Sequence, residues 1–154
     1  MTESIEPIEV WRAFVETWKV WKRGVDRNLE RMGLNSTEYS ILRHLKEEGK
    51  MPMVQMANLI MVTQGWITGL IDSMEERHLV RRERIPTDRR VIELNITDEG
   101  VNLYNKAREV HISYIQKTLA CMNPETLKNT LSAIKDLRKN IDEYKEQNEE
   151  LEQK

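Results

Sequence analysis

Six arginines fall at positions 77, 81, 82, 84, 89 and 90, with only Glu83 and Asp88 among them to offset the charge. That stretch carries +4 in a chain whose formal net charge is −2 at pH 7. A guanidinium is always charged, and its rigid fork of donors suits phosphate oxygens. Cations gathered in one short stretch of a slightly acidic chain point to a polyanion met locally. The plain alternative is a solvated, arginine-rich surface hairpin. Other chemistry has little to work with. His44, His78 and His111 share no metal-ligand spacing. There is no nucleophile elbow and no glycine loop of the kind that cradles phosphate. Neither enzymatic activity nor a metal or cofactor is expected.

The elements before the arginines supply a scaffold for them. From Ile5 to Met32, apolar residues recur at mostly three- and four-residue steps, among them Trp11, Val15, Trp18, Val25 and Leu29, which predicts an amphipathic helix. Ser4 can cap it, Pro7 fits its first turn, and Gly33 marks its end. A second helix opens at Asn35 or Ser36 and carries Tyr39, Leu42 and Leu45 to Gly49. After a Met51-Pro52 connection, a short helix runs from about Met53 to Ile60. Thr63 then reads as the cap of a helix from Gln64 to about Arg77, with Trp66, Ile67, Leu70, Ile71 and Met74 towards the interior. The gap between these two helices has helix-turn-helix length.

The period then changes. Val80–Ile85 and Val91–Ile96 read as two strands, with Pro86-Thr87-Asp88-Arg89-Arg90 as an exposed tip. Thr97 caps a further helix, in whose first turn Gly100 is a weak point. Asn123-Pro124 breaks the chain before a last helix with Leu127, Leu131, Ile134, Leu137, Ile141, Tyr144 and Leu151 at apolar spacing. A helix-turn-helix followed by a hairpin is a winged helix, whose second helix enters the major groove of DNA. The expected fold is mainly α with a small β-hairpin. Residues 1–34 are expected as an N-terminal helix, 35–100 as the winged helix-turn-helix, and 101–154 as C-terminal helices, the terminal helices being the dimerisation elements that the resemblance described below implies.

Composition agrees. Hydrophobic residues make up 39% of the 154 and charged residues 32%, a mix that suits a soluble protein with long solvated helices. The start of the chain is acidic and lacks the apolar core of a signal peptide. No run approaches the roughly 20 apolar residues of a membrane span. The one cysteine, Cys121, has no intrachain partner. A reducing cytoplasm and a buried or half-buried thiol are the expectation.

The segment MEERHLVRRERIPTDRRVIELNITDEG, Met74 to Gly100, resembles the wing of the MarR family of bacterial and archaeal regulators. The family form is a Leu-Glu-x-x-Gly-Leu-Val stretch, an Arg, then Asp-x-Arg and a Leu-Thr-x-x-Gly close. Arg82, Asp88-Arg89-Arg90 and Ile96-Thr97-Asp98-Glu99-Gly100 match it, and the helix order matches over nearly the whole chain. Two positions depart. His78 stands where the family usually has Gly, a strained choice if the backbone there is left-handed. Gly69 stands where many members carry Arg or another polar residue, and Gln64 to Glu76 contains no Lys or Arg.

The resemblance implies a homodimeric, sequence-specific regulator of double-stranded DNA, gripping a pseudo-palindromic operator through recognition helix 63–77 and basic wing 80–96. Thr63, Gln64, Trp66 and Thr68 are the candidate groove residues, with Trp66 equally readable as core. Gln can read adenine, and Thr or Trp can touch a thymine methyl. Arg82, Arg84, Arg89 and Arg90 are the candidate wing contacts, with Asp88 orienting the tip through an ion pair. Dimerisation would use the terminal helices, whose apolar faces exceed what a small winged domain can bury. Family members often bind small aromatic or anionic effectors in a cleft between the two parts. Trp18, Trp21, Lys22, Tyr39 and Arg43 have suitable chemistry, unless the aromatics are core and the cations solvated. A helical protein-interaction adaptor without DNA binding is the rival reading, and it would not need a basic wing.

Overall fold

The computed structural model describes residues 5–152, with side-chain surroundings through residue 146. The elements are α1 (Pro7–Glu30), α2 (Ser36–Glu48), β1 (Met51–Pro52), α3 (Met53–Leu59), α4 (Gln64–Glu76), β2 (Val80–Ile85), β3 (Asp88–Ile96), α5 (Asp98–Thr118) and α6 (Pro124–Glu152). The chain divides into two compact units, one through Tyr114 and one from Ile115.

In the first unit each helix is started by local chemistry. Ser4 lies outside the described residues; ahead of α1 the Glu6 N–H donates to the Glu9 carboxylate at 3.2 Å, with Pro7 in the first turn. Asn35, not Ser36, caps α2: its side-chain oxygen accepts from the Glu38 N–H at 2.8 Å, and Glu38 accepts in return from the Asn35 N–H at 3.1 Å. The Ser36 N–H instead donates to Asp26 on α1 at 2.7 Å. Gly33 and Gly49, at φ +70° and +87°, close α1 and α2 as a residue without a Cβ can.

The core gathers the inward faces of these elements. Leu29, Ile41, Leu42, Met56, Ile67 and Ile71 are fully buried within it. Only the C-terminal part of α1 joins it, through Leu29 and the partly buried Val25. Residues of its first turns, Trp11, Phe14 and Trp18 among them, stay exposed.

The sheet is larger than the expected hairpin. Met51-Pro52 is a third strand, giving the antiparallel order β1-β3-β2 with Met51 opposite Leu94. A two-residue strand containing proline carries almost no periodicity to read. The hairpin tip is also tighter than expected: the turn is Pro86-Thr87 alone, and Asp88 to Arg90 already belong to β3.

Thr97 ties the hairpin to α5. Its hydroxyl accepts from the Gly100 N–H at 3.0 Å and lies within donating reach of the His78 and Leu79 carbonyls, at 2.5 and 3.1 Å. Gly100 is not the weak point it resembled. A Cβ there would collide with the Leu79 carbonyl and stand 2.8 Å from Ile96 Cγ1, so glycine lets the helix start lie against the base of the wing.

In the second unit Asn123 caps α6, accepting from the Thr126 N–H at 2.8 Å. The side chains of Leu127, Leu131, Ile134, Leu137, Ile141 and Tyr144 are all exposed; Leu151 lies outside the described side chains. Cys121 is exposed too, against the expectation of a covered thiol, because it sits in the short turn between α5 and α6 and not on an apolar face.

Two stability effects follow. His78 does adopt φ +56°, where a Cβ crowds the following carbonyl. His78→Gly should raise unfolding free energy by about 0.5–1 kcal/mol, the relief of strain less the extra freedom glycine has when unfolded; urea denaturation checks this. His111 packs against Tyr39, ring centroids 4.7 Å apart, and its Nδ1 is buried with no hydrogen-bond partner. Burial, then the nearby Arg43 charge, pushes its pKa below the ordinary 6.5. The unfolded chain then binds a proton that the folded chain refuses, so stability should fall as pH drops through about 6.5 and level off below the folded value. Urea midpoints across about pH 5–7 should lose this slope in His111→Phe.

Candidate nucleic-acid interface

The recognition helix is presented as its sequence implied. The Thr63 hydroxyl accepts from the Trp66 N–H at 3.2 Å and caps α4, leaving other first-turn N–H groups free for a phosphate. Ile67, Ile71 and Met74 are fully buried and fix the helix by one face. Gln64, Trp66 and Thr68 are exposed. Trp66 is 56% accessible, which takes it out of the core face it was equally able to join. The Thr68 hydroxyl donates to the Gln64 carbonyl of its own helix at 2.8 Å.

The six arginines divide sharply. Arg77 leaves the wing altogether: Nη1 donates to Glu38 at 2.9 Å and Nη2 to the Gly33 carbonyl. Glu38, at 6% accessibility, is the one buried charged side chain among the described residues, so Arg77 also neutralises the α2 capping carboxylate. Arg81 pairs with Glu83 at 2.7 Å, and Glu83 stands directly opposite Glu93, which Lys50 holds at 3.0 Å. Two carboxylates facing across a ladder would repel, and each here has its own cation.

Arg82, expected on phosphate, is turned inward. It lies opposite the fully buried Leu94 and therefore on the sheet face that meets α4. Its guanidinium reaches Asp72 and Glu75 at 2.7 Å each and the Thr68 carbonyl at 3.1 Å. Its backbone N–H also donates to Glu75 at 2.9 Å. It is only 21% accessible. Arg82 is a brace between wing and recognition helix. Asp72 and Glu75 carried no signal for this in sequence beyond their acidity; their place one turn apart on α4 is what makes them a clasp.

Three arginines remain at the wing tip. Arg84 donates to the Arg89 carbonyl at 3.1 Å and keeps its charge. Arg89 and Arg90 are exposed, and among the described residues no carboxylate holds either guanidinium. Asp88 orders the tip, though by a hydrogen bond and not the expected ion pair: its carboxylate accepts from the Arg90 N–H at 3.0 Å. That bond fixes the start of β3 beside the Pro86-Thr87 turn.

The five residues considered for an effector are largely engaged elsewhere. Tyr39 is in the core against Tyr104 and His111, and burial pushes its hydroxyl up to about 12. Lys22 pairs with Asp26 at 2.8 Å and Arg43 with Glu47 at 3.1 Å. Burial raises the Asp26 pKa, but bonds from Lys22 and Ser36 outweigh it and hold the group below 3.8. Trp18 is exposed and Trp21 half-buried. No helix among the described residues is long and apolar enough to cross a membrane.

Comparison with known proteins agrees with this geometry. Residues 34–92 match the MarR family. The chain is 28% identical over 120 residues to the HTH-type transcriptional regulator MhqR of Bacillus subtilis, covering 78% of this chain and 83% of that one. Among solved structures it is similar to AbsC, a MarR family transcriptional regulator from Streptomyces coelicolor, with TM-score 0.80, 26% identity and coverage of 91% and 98% of the two chains. It is also similar to the transcriptional regulator BldR from Sulfolobus solfataricus, with TM-score 0.75, 30% identity and coverage of 88% and 99%. A capped groove helix, a cationic wing braced to it and these likenesses agree: the chain belongs to the MarR family and is a DNA-binding transcriptional regulator.

Proposed function

We propose that the chain works in the cytoplasm as a homodimer that grips a pseudo-palindromic operator, each protomer supplying one recognition helix and one wing. The observation that carries the DNA contact is the tip cluster of Arg84, Arg89 and Arg90, the wing charge left after internal pairing. The proposed roles follow from that division. Arg89 and Arg90 meet phosphates or the minor groove, and Arg84 supports them across the hairpin. Thr63 presents the helix N-terminus, and Asp88 shapes the tip.

The homodimer is supported by apolar surface that a monomer would leave wet. Trp11, Phe14 and Trp18 on α1, and Leu131, Ile134 and Leu137 on α6, are all at least 48% accessible, far more than isolated surface apolar residues require explaining. A second copy would cover both helices in a two-fold arrangement. Response to an aromatic effector belongs to the same reading; the rings of Trp18 and Trp21 support it, whereas Lys22 and Arg43 enter it already ion-paired.

Sedimentation at micromolar concentration should give a dimer, with recognition helices about one DNA turn, roughly 34 Å, apart; a monomer there would overturn the assembly. The arginines should separate in competition binding. Arg90→Ala should weaken binding by about 1–3 kcal/mol on every duplex, reduce the salt slope by about one and leave thermal stability alone. Arg82→Ala should instead destabilise the fold by about 1–3 kcal/mol, since it unpairs two carboxylates. If neither Arg89→Ala nor Arg90→Ala lowers DNA affinity and binding is insensitive to salt, the adaptor reading is the better one.

A further inference from the structure

We infer that α4 reads its operator through thymine 5-methyl groups, with the Trp66 ring and the Thr68 methyl as the reading surfaces. This rests on α4 being the groove helix and adds what that helix recognises. In the major groove guanine is best met by Arg or Lys, adenine by Asn or Gln and cytosine by Asp or Glu, whereas thymine is marked by an apolar methyl. The helix has no Arg, Lys or Asn. Its one amide, Gln64, is in the first turn. Of its carboxylates, Asp72 and Glu75 are held by Arg82, and Glu76 is the last residue of the helix, at the end away from its capped N-terminus. Thr68 spends its hydroxyl hydrogen on the Gln64 carbonyl, so it offers the groove its methyl and an oxygen that can only accept, and no donor for the thymine carbonyl. Trp66, more than half exposed, is the largest apolar surface on the helix.

The glycines between them fit the same purpose. Gly65 and Gly69 lie four residues apart and so share a side of the helix. Glycine is among the least favourable residues in a helix interior, and neither position has a positive φ that would call for it. Nor does packing explain them: a Cβ added at either would meet no atom within 4 Å. Inside the chain nothing requires glycine there. Against DNA, a side without side chains lets the helix backbone approach the base edges. Trp66 and Thr68, on the two flanks, are then brought to the depth of the methyl groups.

The test uses the full chain and duplexes it selects from a random library. Half-sites should be rich in thymine where α4 lies. Replacing those thymines by uracil, which pairs identically but lacks the methyl, should weaken binding about fourfold per methyl contacted, the transfer value of one buried methylene. Scrambled duplex should be indifferent to the replacement. Trp66→Ala should lose most of the discrimination between thymine and uracil, its affinity for the thymine duplex falling towards its affinity for the uracil duplex. Gly69→Ala should melt no lower than the parent, yet bind the selected duplex at least tenfold more weakly. Equal affinity for thymine and uracil duplexes, or full discrimination retained by Trp66→Ala, would overturn the inference. Failure to bind any duplex would be a different result, overturning the DNA-binding role itself.

Discussion

The structure depends most on the clasp of Arg82 between Asp72 and Glu75. A two-stranded ribbon is marginal alone, and β1 pairs with β3 only at its inner end, at Glu93 and Leu94. Without a tie, the hairpin beyond Arg82 has no fixed relation to the helix that must enter the groove. The guanidinium supplies that tie through two carboxylates and a carbonyl on successive turns of α4. It also solves a charge problem. Asp72 and Glu75 belong to the recognition helix and would repel a phosphate backbone if left bare. One internal cation therefore positions the wing and quenches these acids of the recognition helix.

This division explains why the arginine cluster was easy to notice and hard to apportion. In sequence Arg82 looked as free for phosphate as Arg84, Arg89 and Arg90, because a run of charge does not say which carboxylates lie across from it. Register decides: Arg82 faces the side of Leu94, Arg81 stands beside Glu83, and Arg77 ends α4 within reach of Glu38. What was legible was whatever local rules govern. Thr63 and Thr97 act within a few residues of themselves, and buried Ile67, Ile71 and Met74 repeat with helical period. What was not legible depended on partners distant in sequence or on weak periodicity. Strand β1 is two residues long, Trp66 sits at the edge of its helix's apolar arc, and Asp88 could have met a cation or a backbone N–H equally well.

The placement of α4 is enforced from both ends. Met61 before it and His78 after it both adopt φ +56°, a conformation that costs residues with a Cβ about 1 kcal/mol or more each. Such strain persists only where surroundings over-determine the backbone. Here they do. The Met61 N–H donates to the Asn58 carbonyl and that of Val62 to Ala57, closing the turn from α3. At the far end the His78 N–H donates to Glu75, and the Thr97 hydroxyl lies within reach of the His78 carbonyl. A helix pinned by two strained turns and a buried face cannot easily roll to suit a different groove. Its recognition must come from what its outer side already presents.

That outer side carries almost no affinity of its own, and this sets how the protein must divide its labour. Counterion release by Lys and Arg supplies most of the grip of a DNA-binding protein, and α4 has neither. On the reading proposed above, the grip therefore falls to the wing tip, where Arg89 and Arg90, supported by Arg84, would meet the backbone of any sequence alike. Discrimination falls to the helix, where Trp66 and Thr68 gain only when the right surface is opposite. Because the clasp through Arg82 ties the wing to the helix, a wing held on the backbone would keep the helix in the groove while weak apolar contacts form. Loosening the clasp would therefore weaken the fold and the alignment of wing with helix together.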